Sequence, residues 1–187
     1  MALTALDPKT ALIIVDLQKG IVGYPVAHSI DGVVERSRAL ADAFRARGLP
    51  VVLVNVTGAA PGRIEQPRRD VSALPADFAT LLPELGQQPD DIAVTKQSWG
   101  AFATTDLELR LKRLGVTQVV ITGVATAAGV EATARQAYEQ GFNVTLAADA
   151  MTDPRAEAHD YSIRMVFPRL GETGSTNDII ALLERNA

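Results

Sequence analysis

The constraint that narrows the fold most is a succession of short, β-branched apolar runs, each followed by a stretch with helical spacing. Ala11–Leu17 (ALIIVDL), Pro50–Val56, Gln118–Val124 (QVVITGV) and Val144–Ala148 are apolar on both faces rather than alternating. A strand that is apolar on both faces belongs in a parallel sheet covered by helices on each side. Between the runs, Val33–Arg47 places Val34, Leu40, Ala41 and Phe44 on one helical face and stops at Gly48. Thr105–Leu114, Val130–Gln140, Arg155–Val166 and Ser175–Glu184 read as further helices, and short strands are expected at Ile92–Thr95 and near Leu170. The long segment Thr57–Asp91 is rich in Gly, Pro and Arg and allows a short helix near Phe78–Leu82. Right-handed crossovers between six such strands predict an α/β fold, a three-layer α/β/α sandwich with a parallel doubly wound sheet. At 187 residues, without a repeat or a linker, the expectation is one domain over 1–187.

Ligands of such sheets bind beyond the carboxyl ends of the strands. Three candidates end strands here: Asp16, Lys96 and the small-residue turn Ala125–Gly129. Asp16 follows Leu12–Val15, so it is either a loop cap or a partly desolvated carboxylate with a raised pKa. Lys96 is either a solvated surface lysine or the partner that fixes the charge and position of Asp16. The strand running into Gly123–Arg135 brings helix N–H groups to a ligand without side chains in the way. It is not a GxGxxG fingerprint, and a dinucleotide site is disfavoured.

Composition removes other classes. The net charge of −4 is spread along the chain, and the most basic segment, Arg63, Arg68 and Arg69, is interrupted by Glu65 and Asp70. Nucleic acid is therefore not an expected partner. No apolar run reaches the roughly 20 residues of a membrane span, and the first residues lack a signal-peptide pattern. A cytoplasmic protein is expected. There is no cysteine, which removes disulfides, thiolate metal sites and a thiol nucleophile. His28 and His159 have no metal-site spacing, and no cofactor is expected.

Three motifs, taken in order, resemble the isochorismatase-like hydrolases, also called the cysteine hydrolase superfamily. They are Asp16-Leu17-Gln18, the run Lys96-Gln97-Ser98-Trp99-Gly100-Ala101-Phe102, and Gly123–Ala137 (GVATAAGVEATARQA), followed by Gly141–Ala150. The resemblance implies a site of Asp16, Lys96 and position 129, with Gln18, Trp99, Phe102, Ala125, Arg68 and Arg69 as substrate-binding candidates. It also implies a cis Val124–Ala125 bond that aims the Ala125 and Gly129 N–H groups at one oxyanion. In most of that family a nucleophilic cysteine stands where Gly129 stands here, and Ala127 replaces a frequent asparagine. Isochorismatases proper resemble this chain in having glycine there, and they hydrolyse a vinyl ether. The implied function is hydrolysis of a small molecule without a thiol, with Asp16 as general acid or base assisted by Lys96. Arginines of the long loop would then meet substrate carboxylates. The alternative is a ligand-binding or interaction protein that keeps the pocket without the chemistry. Relatives of this kind assemble, so a homo-oligomer is expected. Trp99 and Phe102 read either as pocket wall or as core, Thr126 as a weak substitute nucleophile, and Asp149 as a structural cap.

Overall fold

A computed structural model describes residues 3–67, 70 and 73–185. Six parallel strands form one sheet in the order β3-β2-β1-β4-β5-β6: β1 (Thr10–Val15), β2 (Val51–Val56), β3 (Ile92–Lys96), β4 (Gln118–Val124), β5 (Asn143–Thr152) and β6 (Glu172–Gly174). The helices are α1 (Lys19–Val22), α2 (Ile30–Arg45), α3 (Leu107–Arg113), α4 (Glu131–Glu139), α5 (Ala156–Tyr161) and α6 (Thr176–Arg185).

Alternation along each strand sorts the core into two layers. Ile13, Val15, Val54 and Ile121 pack with Leu107 and Leu111 of α3 and with Ala134 of α4. Leu12, Ile14, Leu53 and Val120 pack on the other face with Leu40 and Phe44 of α2 and Ile179 of α6. Burial on both faces is why these strands carry no polar alternation. The chain order reverses between β1 and β4, and this switch point opens a crevice at the carboxyl edge. Asp16 and the 125–129 turn both emerge there.

Some expected boundaries shift, for local reasons. No helix forms at Phe78–Leu82, because those backbone groups pair with the chain after β1. Lys19 N donates to Thr80 O and Gly20 N to Phe78 O, both at 2.9 Å, while Leu82 N donates to Leu17 O at 3.1 Å. A 3-10 turn follows at Pro83–Leu85. Strand β5 runs through Asp149 rather than ending there, with a bulge between the pairs Ile121–Leu146 and Gly123–Met151. Asp149 Oδ1 accepts from Thr176 N at 2.8 Å and so holds the start of α6, the structural role expected of it. The α4 helix is preceded by a widened turn, Thr126–Val130, in which Val130 N donates to Ala125 O at 3.1 Å. Helix α5 likewise widens over Ser162–Val166, and β6 forms just beyond Leu170.

Candidate active site

Asp16 is the first residue beyond β1. Its N–H still donates to Val54 O at 2.9 Å, and its φ of 53° turns the chain out of the sheet. Asp tolerates this left-handed region better than most side chains. Lys96 closes β3, two strands away, and its long side chain passes the end of β2 to reach Asp16. Lys96 Nζ donates to Asp16 Oδ2 at 2.8 Å and to Ser98 O at 3.0 Å. The two side chains are 1% and 8% exposed, so this is a buried ion pair and not a surface bridge. Such a pair persists only when its geometry repays desolvation.

Burial pushes the Asp16 carboxyl up to about 6, against the opposing charge and hydrogen bond of Lys96. Asp16 Oδ1 is buried and has no hydrogen-bond partner among the described residues. A carboxyl oxygen buried without a partner loses its water uncompensated, which favours the protonated form of the acid.

The third strand end completes the arrangement. Gly123, with φ of 112°, lets β4 pass so close to β1 that a Cβ there would lie 2.0 Å from Val15 O. The Val124–Ala125 bond is cis. Beyond it, a Cβ at Gly129 would lie 3.2 Å from Asp16 Oδ2 and 3.0 Å from Val15 Cγ1. A side chain at 129 would therefore point at the carboxylate. Thr133 Oγ1 donates to Gly129 O at 2.7 Å and accepts from Ala101 N at 3.0 Å, tying this turn to the loop that follows Lys96. Ala127 N donates to Asp153 Oδ2 at 2.9 Å, and Ala128 N to Ala125 O at 3.1 Å.

These residues border a cavity of about 590 Å³ whose wall includes Asp16, Lys96, Ala125, Gly129, Trp99, Tyr24, Val26 and Phe78. Its size suits a small organic molecule. Asp16 and Lys96 are the charged residues of that wall among those described.

Several expected contacts lie elsewhere. Phe102 is core: its ring stacks on Phe142 at 5.9 Å between centroids, because Gln136 Oε1 accepts from Phe102 N and Ala103 N and draws the loop onto α4. Gln18 is fully buried and off the cavity wall. Its amide donates to Val56 O and Phe78 O and its carbonyl accepts from Val56 N, which pins the 78–82 segment to β2. Trp99 does sit on the wall, at the solvent side, 67% exposed. Arg68 and Arg69 lie outside the described residues. Thr126 is fully buried with its hydroxyl 2.8 Å from His159 Nδ1, and it is absent from the cavity wall. Sequence reasoning missed Tyr24, Val26 and Phe78, which are brought in by irregular loops with no periodic signal. It also missed Asp153, although an Asp before Pro154 is a recognisable turn signal.

The comparisons with known proteins agree with this fold. The isochorismatase domain model matches residues 10–178, from the first residue of β1 into α6. The uncharacterized isochorismatase family protein YwoC of Bacillus subtilis is 40% identical over 92% of this chain and 93% of its own length. The corresponding protein YecD of Escherichia coli O157:H7 is 42% identical over 93% of this chain and 96% of its own. Among solved structures, an isochorismatase family protein from Burkholderia thailandensis is 39% identical and superposes with a TM-score of 0.91, covering 96% of this chain and 98% of that one. With the domain matched over most of the chain and relatives about 40% identical over nearly the full length of both partners, the chain belongs to the isochorismatase family of hydrolases.

Proposed function

We propose that this protein hydrolyses a small molecule without a covalent thiol intermediate, by acid–base catalysis from Asp16 with Lys96 as its positioning partner. The observation that carries this reading is a buried carboxyl on the cavity wall, raised to about 6, whose Oδ2 is held by Lys96 and whose Oδ1 has no hydrogen-bond partner among the described residues. A carboxylic acid tuned toward neutrality can both give and take a proton near physiological pH.

An enol ether is the substrate class that suits these groups. The protonated Asp16 delivers its proton to the terminal carbon of the double bond, leaving an oxocarbenium ion and a carboxylate. Water then adds to the cationic carbon, and the Asp16 carboxylate takes the proton that water releases. The resulting hemiketal collapses to a carbonyl compound and an alcohol, so that one water is consumed and the acid is regenerated. The N–H groups of Ala125 and Gly129 are assigned to the oxygen that departs as the hemiketal collapses, where negative charge develops, since those of Ala127 and Ala128 are engaged within the protein. The ammonium of Lys96 keeps the carboxylate form affordable between the two proton transfers.

Gly129→Cys tests whether this cavity is a working hydrolase site. The introduced Cβ lies 3.2 Å from Asp16 Oδ2, a fit that asks Val15 to yield by a few tenths of an ångström. The variant is expected to be alkylated by iodoacetamide faster than a free thiol and to gain thiol-dependent cleavage of small aryl amides. A thiol no more reactive than glutathione, together with no turnover of phenyl vinyl ether by the unaltered chain, supports instead a ligand-binding protein without chemistry.

A further inference from the structure

Behind the 125–129 turn lies a pair of imidazoles that the chemistry above does not use. His159, on α5, is 6% exposed, and its Nδ1 is 2.8 Å from the hydroxyl of the fully buried Thr126. Its ring lies 4.5 Å, centroid to centroid, from the ring of His28. His28 belongs to the loop 23–29, in which Tyr24, Pro25 and Val26 form cavity wall. That loop is anchored to the end of β5: Ala27 N donates to Asp153 O at 2.9 Å, and His28 N donates to Thr152 Oγ1 at 3.1 Å. Asp153 in turn accepts from Ala127 N of the turn at 2.9 Å. One small cluster thus touches both the element that carries Gly129 and a loop that contributes cavity wall.

We infer that His159 and His28 are positioning residues, a joint that sets the catalytic turn against the cavity-wall loop and loosens when His159 acquires charge. The inference rests on the proposed function only in taking the 125–129 turn as the working wall of the site. Four groups face His159: Thr126 from the turn, His28 from the loop before α2, Asp153 from the end of β5, and Asp160 from its own helix. Burial first, and the neighbouring His28 second, hold His159 below the usual histidine range. A neutral imidazole serves Thr126 in either tautomer, donating to the hydroxyl oxygen or accepting its proton. A proton gained by His159 places charge on a buried ring that lies near His28 and bonds Thr126, so acid disturbs the contact between the turn and the 23–29 loop. For His159 the sign follows: its folded-state pKa is depressed, so its stabilising effect is complete above about 6.5 and is lost as pH falls below that value.

The test uses NMR of the whole chain without ligand. Because His28 and His159 are the two histidines of the sequence, each imidazole signal is assigned by one substitution. His28→Ala is expected to raise the His159 midpoint toward the usual histidine value and to shift the amide signals of 127–129. His159→Ala should displace the same amides together with those of Ala27 and His28. His159→Gln, which keeps a hydrogen-bond partner for Thr126, should restore the turn amides while abolishing their titration between about pH 5 and pH 7. An unmoved His159 midpoint in His28→Ala overturns the joint, as do turn amides in His159→Ala that coincide with those of the parent. Should His159→Ala fail to fold, His28→Ala decides alone, since His28 is exposed and its loss spares the core. These readouts involve neither substrate nor Asp16, so their failure would leave the acid-catalysis reading standing.

Discussion

Exchanging Asp16 for asparagine should slow turnover of an enol-ether substrate by about 10²–10⁴-fold, the range expected when a positioned general acid is lost. Asparagine fills nearly the same space and can still meet a ligand at its amide, so substrate affinity should change far less than turnover. The loss should therefore fall on kcat with KM nearly unchanged, which steady-state kinetics would separate. The parent protein should also lose activity as pH rises through about 6, where the Asp16 carboxyl gives up its proton. A variant that retains most of the parent kcat would remove Asp16 from the chemistry.

The second large effect concerns Lys96. Replacing it with methionine leaves the Asp16 carboxylate buried with no cation, while the charge and hydrogen bond of Lys96 are what hold its pKa down. The Asp16 midpoint should rise well above 6, and the fold should lose about 3–5 kcal/mol near neutral pH, the usual cost of breaking a buried pair from one side. Urea unfolding measures the latter directly. The sign with pH is fixed by the raised carboxyl: its favourable contribution is complete below 3.8 and is lost as pH rises through its folded-state value. Lys96→Met should therefore be hurt most at neutral pH and least in acid. Removing both charges, as Asp16→Asn with Lys96→Met, should recover much of the loss, because neither group is then left buried and uncompensated. Additive penalties in the double variant would mean that the two groups do not interact.

The buried strands were legible because their two-sided burial writes itself as unbroken β-branched runs, and the helices α2 and α6 because each shows one apolar face. Asp16 and Lys96 were legible for a related reason: a charge at the end of an apolar run is costly and calls for a partner. Their pairing stood as one of two readings and could not be decided from sequence, since the strand order that brings β3 within a side chain's reach of β1 is set by nonlocal register. Phe102 could not be told from pocket wall, because its direction depends on Gln136, 34 residues later, capturing two loop amides. The resemblance implied Gln18 as a ligand contact, yet its amide is spent on β2 and on the 78–82 segment. The His28–His159 contact joins residues on separate elements and leaves no trace in local spacing.

The central claim is that a buried carboxyl, held by one ammonium at the switch point of the sheet, keeps its proton into the near-neutral range. Titrating the Asp16 side-chain carbon by NMR in the unaltered protein tests it most directly. A midpoint about 6, moving upward in Lys96→Met, is the predicted result; a midpoint near 3.8 that ignores the loss of Lys96 would contradict it.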